Sequence, residues 1–219
     1  MKIFTRGINI SIALIIMSVL LGVYVYPILP ETMVSHWGPY GEANGTMGKF
    51  WGTFLMPLIM AIVFLIMAIV PRFDPKKRNI EDVRGAYDAL LILLTVFFFV
   101  LYSFILGTNL GLSLNPPQFF PFIFGALFFS LGFILERLKQ NWTIGIRTPW
   151  TLSSETVWKK THVLGGKIFK ISGILACLGV IFSNVSFLFF LVPLLVGIIV
   201  IFIYSYLLYK KEEKTKNPM

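Results

Sequence analysis

Residues 88–107 read DALLILLTVFFFVLYSFILG, a run of 20 residues in which Asp88 carries the only charge. An α-helix rises ~1.5 Å per residue, so this run can cross the ~30 Å hydrocarbon core of a bilayer. Five other apolar runs indicate further spans. The six predicted spans lie near residues 8–27, 53–70, 88–107, 119–135, 168–183 and 187–209. The predicted fold is therefore all-α: a polytopic membrane protein with a bundle of six transmembrane helices.

The composition of the 219-residue chain also favours a membrane protein. Hydrophobic residues make up 57 % and charged residues 13 %, whereas a typical soluble domain has about 25 % charged residues. This composition excludes a disordered or collagen-like chain and argues against an ordinary cytosolic enzyme. Cys177 is the only cysteine, so a disulfide within the chain is excluded as well.

The basic residues are distributed unevenly between the two ends of the predicted spans. Eighteen of the 19 Lys and Arg residues fall on one side, and Lys49 alone falls on the other. By the positive-inside rule this predicts that both termini lie in the cytoplasm. The basic residues on that side also predict contact with anionic membrane lipids. We expect no direct contact with nucleic acid.

The spans and loops divide the chain into four predicted units. These are a two-helix unit 1–71 with an outer loop 29–51, a linker and third span 72–112, a unit 113–209 with an inner loop 136–167, and a charged cytoplasmic tail 210–219.

The outer loop combines turn-forming residues with a histidine. Glycines such as Gly41 and Gly45 predict a compact, non-helical cap on the outer surface. His36, Glu31 and Glu42 are ligand types for an open zinc or iron site, but their spacing matches no strong metal motif. We therefore favour a His36 that is hydrogen-bonded to the loop backbone, and we assign no metal and no cofactor.

The inner loop contains a predicted helix. Ser153 can cap a short helix over about 154–164, and the glycines at 165–166 can end it. This would be a short amphipathic helix lying on the inner leaflet. Trp158 and His162 are four residues apart and are expected to stack on one face.

The stretch before this helix contains Arg147, Thr148 and Pro149. The proline biases Thr148 toward an extended backbone. The planar guanidinium of Arg147 suits a carboxylate or a lipid phosphate. The alternative is that Arg147 only anchors the inner interface, as basic residues near a membrane commonly do.

Both loops carry a resemblance to known families. The inner loop closely resembles the signature of SdpI-family membrane proteins in Asn141, Ile144-Gly145-Ile146-Arg147-Thr148-Pro149, Trp158 and His162. The outer segment resembles the domain of unknown function that often precedes the SdpI domain, in Leu29-Pro30, His36, Gly41, Gly45 and Pro57.

The resemblance implies a multi-span plasma-membrane protein, and it brings no catalytic residues. The best-known family members protect a toxin-producing cell against its own secreted, membrane-active toxin. They also act as receptors that tether the operon's repressor at the membrane. The expected partners are thus a toxin peptide and a cytoplasmic repressor. The expected ligand- or partner-binding residues are His36, Gly41, Gly45, Asn141, Gly145, Arg147, Thr148, Pro149, Trp158 and His162.

Two other functions stay open at this point. A small-solute or ion transporter or channel would need a polar path, for which Thr95, Ser103, Asn109 and Ser130 are the candidates. The lack of an ionisable residue at any predicted span centre counts against ion-coupled transport. A metal-dependent membrane enzyme would use His36. We expect no enzyme, because the sequence has no hydrolase elbow, zincin motif or phosphate-binding loop.

Overall fold

The computed structural model describes residues 5–182 and 185–216 of the chain. Helices dominate it, with one small sheet. The elements are α1 Arg6–Val25, β1 Thr32–Trp37, β2 Ala43–Gly48, α2 Lys49–Ile69, α3 Lys77–Asp82, α4 Arg84–Asn109, α5 Pro116–Leu135, α6 Pro149–Ser153, α7 Glu155–Leu178 and α8 Ser186–Lys216.

The predicted six-span bundle is confirmed. Six helices (α1, α2, α4, α5, α7 and α8) are long and apolar enough to cross a membrane. Their outward faces are apolar, as a lipid environment requires. The sixth helix differs from the sequence prediction at its end, because α8 continues through the charged segment as far as Lys216. The last residues of the predicted tail, 217–219, lie outside the described residues.

The bundle is organised as two groups of three helices. α1, α2 and α4 pack against one another, as do α5, α7 and α8, and α4 meets α5 at the junction. Glycines allow α5 and α7 to pack closely against each other. A Cβ atom on Gly125 would lie 2.7 Å from the Gly173 carbonyl oxygen, and one on Gly132 would lie 2.6 Å from that of Gly166. Small residues allow the backbones to approach, which is how membrane helices commonly associate.

The bundle has two distinct ends. The hairpin end carries β1 and β2 with the segment that joins α4 to α5; the Asn109 side chain is bonded there to Val34. The loop end carries the segments that join α2 to α4 and α5 to α7; Asp74 is bonded there to Trp142. The two loops recognised in the sequence therefore lie at opposite ends. The charge asymmetry predicts that the loop end is cytoplasmic.

The outer loop forms an antiparallel β-hairpin, which sequence analysis did not predict. Thr32 pairs with Gly48 and Val34 with Thr46, and the ladder is irregular at His36. The loop is non-helical, as predicted. The strands form because Asn109 of α4 extends the hydrogen bonding of β1, while Met33 is fully buried beneath it.

The predicted end of the inner-loop helix at residues 165–166 was wrong. The glycines do not end it, and α7 runs without interruption into the fifth span. Gly165 and Gly166 are needed for close packing instead, since a Cβ on Gly166 would lie 2.6 Å from the Gly132 carbonyl oxygen. The cap is Ser154 rather than Ser153, with Ser154 Oγ accepting from the Val157 N–H at 3.3 Å. A separate short helix in the inner loop does exist, but it is α6.

Candidate functional site

The loop end is ordered around Asn141, whose side chain is fully buried. Its Oδ1 accepts hydrogen bonds from the N–H groups of Thr143 at 2.9 Å and Ile144 at 2.8 Å. Its Nδ2 donates to the Lys139 carbonyl at 2.8 Å. These three bonds all stay within the loop, so Asn141 shapes the turn and is not exposed to a partner.

His162 is the centre of a second buried arrangement at this end. It is 1 % exposed, and its ring stacks on Trp158 with centroids 4.0 Å apart. The Ile146 N–H donates to Nε2 at 2.9 Å, and Nδ1 lies 2.9 Å from the Trp158 carbonyl oxygen, to which it donates. Accepting at one nitrogen and donating at the other requires a neutral imidazole. The distance between the two rings confirms the predicted stacking of Trp158 and His162.

Gly145 lets the loop pass over this stacked pair. Its φ is +110°, in the region that favours glycine. A Cβ at this position would lie 2.5 Å from His162 Nε2 and 3.1 Å from the Trp158 ring. Trp158 in turn donates from Nε1 to the Leu138 carbonyl at 2.9 Å. These residues fix the loop against α7.

Thr148 begins α6 and connects it to α8. Its backbone is extended, as predicted, at φ −94° and ψ 161°. Thr148 Oγ1 accepts from the Thr151 N–H at 3.2 Å, and Thr151 Oγ1 accepts from the Thr148 N–H at 2.9 Å, which is a capping box. Thr148 Oγ1 also lies 3.2 Å from Ser205 Oγ of α8.

Two further residues of the loop end were missed by sequence reasoning. Asp74 is 5 % exposed; its Oδ2 accepts from the Trp142 N–H at 2.8 Å and from Thr143 Oγ1 at 2.6 Å. Gln140 donates from Nε2 to the Thr151 carbonyl at 2.7 Å. Asp74 precedes Pro75, a pair that favours turns, so a turn signal was present. No signal connected that turn to a segment almost 70 residues away.

Of the loop-end residues singled out by sequence, Gly145, Arg147 and Pro149 are exposed. Arg147 donates from Nη1 to the Trp142 carbonyl at 2.6 Å. The exposed Lys159 and Lys160 follow on α7. This set of Arg147, Lys159 and Lys160, which we call the basic surface, could meet an anionic lipid or an acidic protein surface.

A salt bridge lies beside this end of the bundle. Lys139 Nζ is 2.8 Å from Asp82 Oδ2. The hydrogen bond and the charge of Lys139 hold the pKa of Asp82 below its ordinary value. Both side chains are solvent-exposed, so the pair connects the end of α3 to the inner loop without forming part of the core.

At the hairpin end, His36 is exposed and its partner is a side chain. Nδ1 lies 2.5 Å from Asn44 Oδ1, so the predicted bond from His36 to loop backbone was wrong. Gly45 pairs with His36 across the hairpin, where a Cβ would lie 2.8 Å from that of His36. Gly41 has φ +87°, and a Cβ there would overlap the ring of Pro117. Both glycines are therefore required by the shape of the hairpin.

A cavity of about 480 Å³ lies beneath the hairpin, between α4, α5 and the first turn of α8. We call it the aromatic chamber. Trp37 packs edge-on against Phe104 in its wall, at 5.1 Å between ring centroids. The lining is mostly apolar, and its polar side chains come from the hairpin and from Ser186 of α8. It includes Ser35, His36, Trp37, Gly38, Asn44, Met56, Leu101, Phe104, Ile105, Pro117, Phe120, Phe124, Ser186, Phe187 and Phe190. Sequence analysis did not predict the chamber, because its walls come from five separate segments.

The geometry bears on the two alternatives left by the sequence. Among residues 5–182 and 185–216, no three His, Cys, Asp or Glu side chains are placed to hold a metal ion. Glu31 is instead 3.2 Å from Lys49. The candidate path residues do not converge either. Thr95 is buried against Ser11 at 3.1 Å, and Ser103 is exposed and bonded within its own helix.

The fold and these two ends define a six-span membrane protein with a ligand-sized chamber at one end and a tightly bonded loop at the other. Comparison with known proteins agrees with the sequence resemblance. Residues 137–205 match the SdpI/YfhL protein family, and residues 13–61 match a domain of unknown function, DUF1648. The chain therefore carries an SdpI-family domain preceded by DUF1648. The matched segments include all ten residues expected from the resemblance to bind a partner.

One relative extends the similarity over nearly the whole chain. The chain is 29 % identical to the immunity protein SdpI of Bacillus subtilis (strain 168), over 203 residues. The alignment covers 92 % of this chain and 95 % of that protein. No solved structure matches the chain.

Proposed function

We propose that the protein is an SdpI-like membrane immunity protein that captures a membrane-active toxin peptide in the aromatic chamber. The chamber is the observation that carries this proposal. Its volume of about 480 Å³ lies in the range of ligand pockets, roughly 300–1,000 Å³. The similarity to a protein named as an immunity protein supports the same function.

The position of the chamber suits a toxin that arrives from outside the cell. The positive-inside rule predicts that the hairpin end lies on the outer face and that both termini lie in the cytoplasm. An amphipathic peptide that lies in the membrane interface buries its apolar face about 5–10 Å into the lipid. The chamber beneath the hairpin would offer that face an aromatic site in place of lipid.

The signalling part of the proposal concerns α8, which reaches from the chamber to the loop end. Ser186, Phe187 and Phe190 line the chamber. At the other end of the same helix, Ser205 meets Thr148 and Glu212 Oε2 accepts from Ser154 Oγ at 2.6 Å. A ligand that binds one position of α8 more tightly than another would thereby shift the loop end.

The basic surface is the proposed docking site for a cytoplasmic repressor. Arg147, Lys159 and Lys160 are exposed next to the loop that α8 contacts. A repressor with an acidic face would be recognised by charge complementarity, which favours fast and specific association. Movement of α6 would change the spacing of these cations and so the affinity for the partner.

The experiment is a survival assay in cells that express the protein and are challenged with membrane-active toxins. Ile105 lines the chamber, so Ile105→Trp should fill part of it and remove the protection. Ile198→Trp is the matched control, because Ile198 is 50 % exposed on the lipid-facing side of α8. Both variants are compared at equal abundance in the membrane. Protection that survives in Ile105→Trp would overturn the proposal.

A further inference from the structure

The volume, the polar groups and the nearby charge of the aromatic chamber restrict what it can bind, an inference that rests on the proposed function. A cavity of about 150 Å³ lined by Leu, Ile and Phe is known to hold one benzene. A chamber of about 480 Å³ therefore has room for two or three ring-sized groups. That is the number of anchors that the apolar face of a short amphipathic helix presents at i, i+3 or i+4, and i+7.

A hydrogen-bond acceptor belongs to a hairpin side chain that lines the chamber. His36 Nδ1 lies 2.5 Å from Asn44 Oδ1; because an amide oxygen only accepts, Nδ1 is the donor, and in this tautomer Nε2 is the acceptor. No described residue donates to that nitrogen, and His36 is part of the chamber lining. An incoming indole N–H or phenol O–H would find its partner there, as buried Trp and Tyr side chains usually require.

The net charge of the hairpin end is negative and comes from a few residues. The connecting segments 26–48 and 110–115 contain two charged residues, Glu31 and Glu42, and Lys49 begins α2. Lys49 pairs with Glu31 at 3.2 Å. The Glu42 carboxylate lies directly over Gly38, a lining residue, and accepts from the Tyr40 N–H at 3.1 Å. It is exposed and has no cation beside it among the described residues.

We infer that the chamber binds the apolar face of a cationic amphipathic peptide. Two or three bulky side chains of the peptide enter the chamber, a Trp or Tyr among them donates to His36 Nε2, and a Lys or Arg lies beside Glu42. A lipid acyl chain would fill the same apolar volume. It would leave the acceptor on His36 unused, and an anionic headgroup would be repelled by Glu42.

The test measures peptide affinity for the full-length protein in phosphatidylcholine nanodiscs at low ionic strength. The probe is a labelled synthetic helix of Lys, Leu and Ala with two Trp four positions apart, read by fluorescence anisotropy. A second peptide carries Phe in place of both Trp, and a third carries Glu in place of every Lys. The expected order of affinity is the Trp peptide first, then the Phe peptide, with the Glu peptide weakest.

Three variants and one control variant separate the contributions. His36→Ala should weaken the Trp peptide about ten-fold and leave the Phe peptide unchanged, because only indole uses the acceptor. Glu42→Gln should weaken both cationic peptides about three-fold and reduce their salt dependence. Glu31→Gln is its matched control, since that carboxylate is paired with Lys49. Ile105→Trp should weaken all peptides by more than about thirty-fold.

Several results would overturn the inference. Equal affinity for the Lys and Glu peptides would show that the chamber does not select cationic peptides. Equal losses of affinity for the Trp and Phe peptides in His36→Ala would show that no peptide N–H donates to His36. A fluorescent fatty acid that binds the wild type, is lost in Ile105→Trp and is not displaced by the Trp peptide would identify a lipid site instead. If Ile105→Trp abolishes protection of cells while the peptides fail to discriminate, this inference fails and the proposed function stands. If Ile105→Trp protects like the wild type, the proposed function fails.

Discussion

Thr148 and Ser205 are 57 residues apart in sequence, yet their side-chain oxygens lie 3.2 Å from each other in a buried contact between α6 and α8. Trp150 packs beside them against Phe202 of α8 at 4.9 Å between ring centroids. The inner loop is thus attached to the last helix by a hydrogen bond and an aromatic contact. Since α8 also lines the aromatic chamber, this relationship connects the two ends of the bundle.

Ser205→Ala should lower the free energy of unfolding by about 1 kcal/mol, because a buried hydroxyl pair is broken and Thr148 keeps its bond to Thr151. Ser103→Ala is the matched control. Ser103 is exposed and donates to the Phe99 carbonyl of its own helix. The free energy of unfolding of Ser103→Ala should therefore be close to that of the wild type. Thermal unfolding of both variants in the same detergent checks this. Equal stability of the two variants would show that the contact between α6 and α8 contributes little.

Gly145→Ala should destabilise the protein by about 2 kcal/mol or more. The new Cβ would meet His162 and Trp158, and the backbone φ of +110° is strained for alanine. Gly85→Ala is the control, because a Cβ at Gly85 of α4 meets nothing within 4 Å. That exchange should be neutral or stabilising by up to about 1 kcal/mol, as alanine is favoured in a helix. The prediction fails if both substitutions shift the unfolding temperature in the same direction.

His162→Phe should keep an aromatic ring next to Trp158 but leave the Ile146 N–H without its acceptor. An unsatisfied buried donor costs about 1–3 kcal/mol. Amide hydrogen exchange at Ile146 should therefore become faster, while exchange at Val34, which is bonded at the other end of the bundle, should not change. Retained protection of Ile146 in this variant would contradict the assigned hydrogen bond.

The Asp82–Lys139 pair predicts a pH dependence. Because Lys139 lowers the pKa of Asp82 in the folded protein, the pair contributes stability above the unfolded pKa of Asp82, and this contribution is lost as the pH falls through the lower folded pKa. Asp82→Asn should therefore flatten the acid side of the stability profile slightly. Lys139→Met should do the same, and the two effects should not add. Additive effects would show that the two groups titrate independently.

Much of the candidate site at the loop end could be predicted because its signals are local. The spacing of Trp158 and His162 on one helix predicts their stacking, and Pro149 predicts the extended backbone of Thr148. The structural roles of Asn141 and Gly145 could not be predicted in this way. Each depends on a partner brought in by the fold: the turn backbone for Asn141 and the His162 ring for Gly145.

Two of the errors have one physical origin. The glycines at 165–166 are typical of a helix end, but in a membrane the same residue type allows two helices to approach closely, and packing against Gly132 retains the helix. The hairpin was missed because its edge is completed by Asn109, which belongs to another segment. In both cases a tertiary contact outweighs a local preference.

The sequence alone determined the number of membrane helices and the placement of the two loops at opposite ends, because hydropathy and helix length act locally along the chain. The tertiary structure decided the continuous α7, the hairpin, the aromatic chamber and the attachment of α6 to α8. Those features depend on side chains that are far apart in sequence, and only the packing of the six helices brings them together.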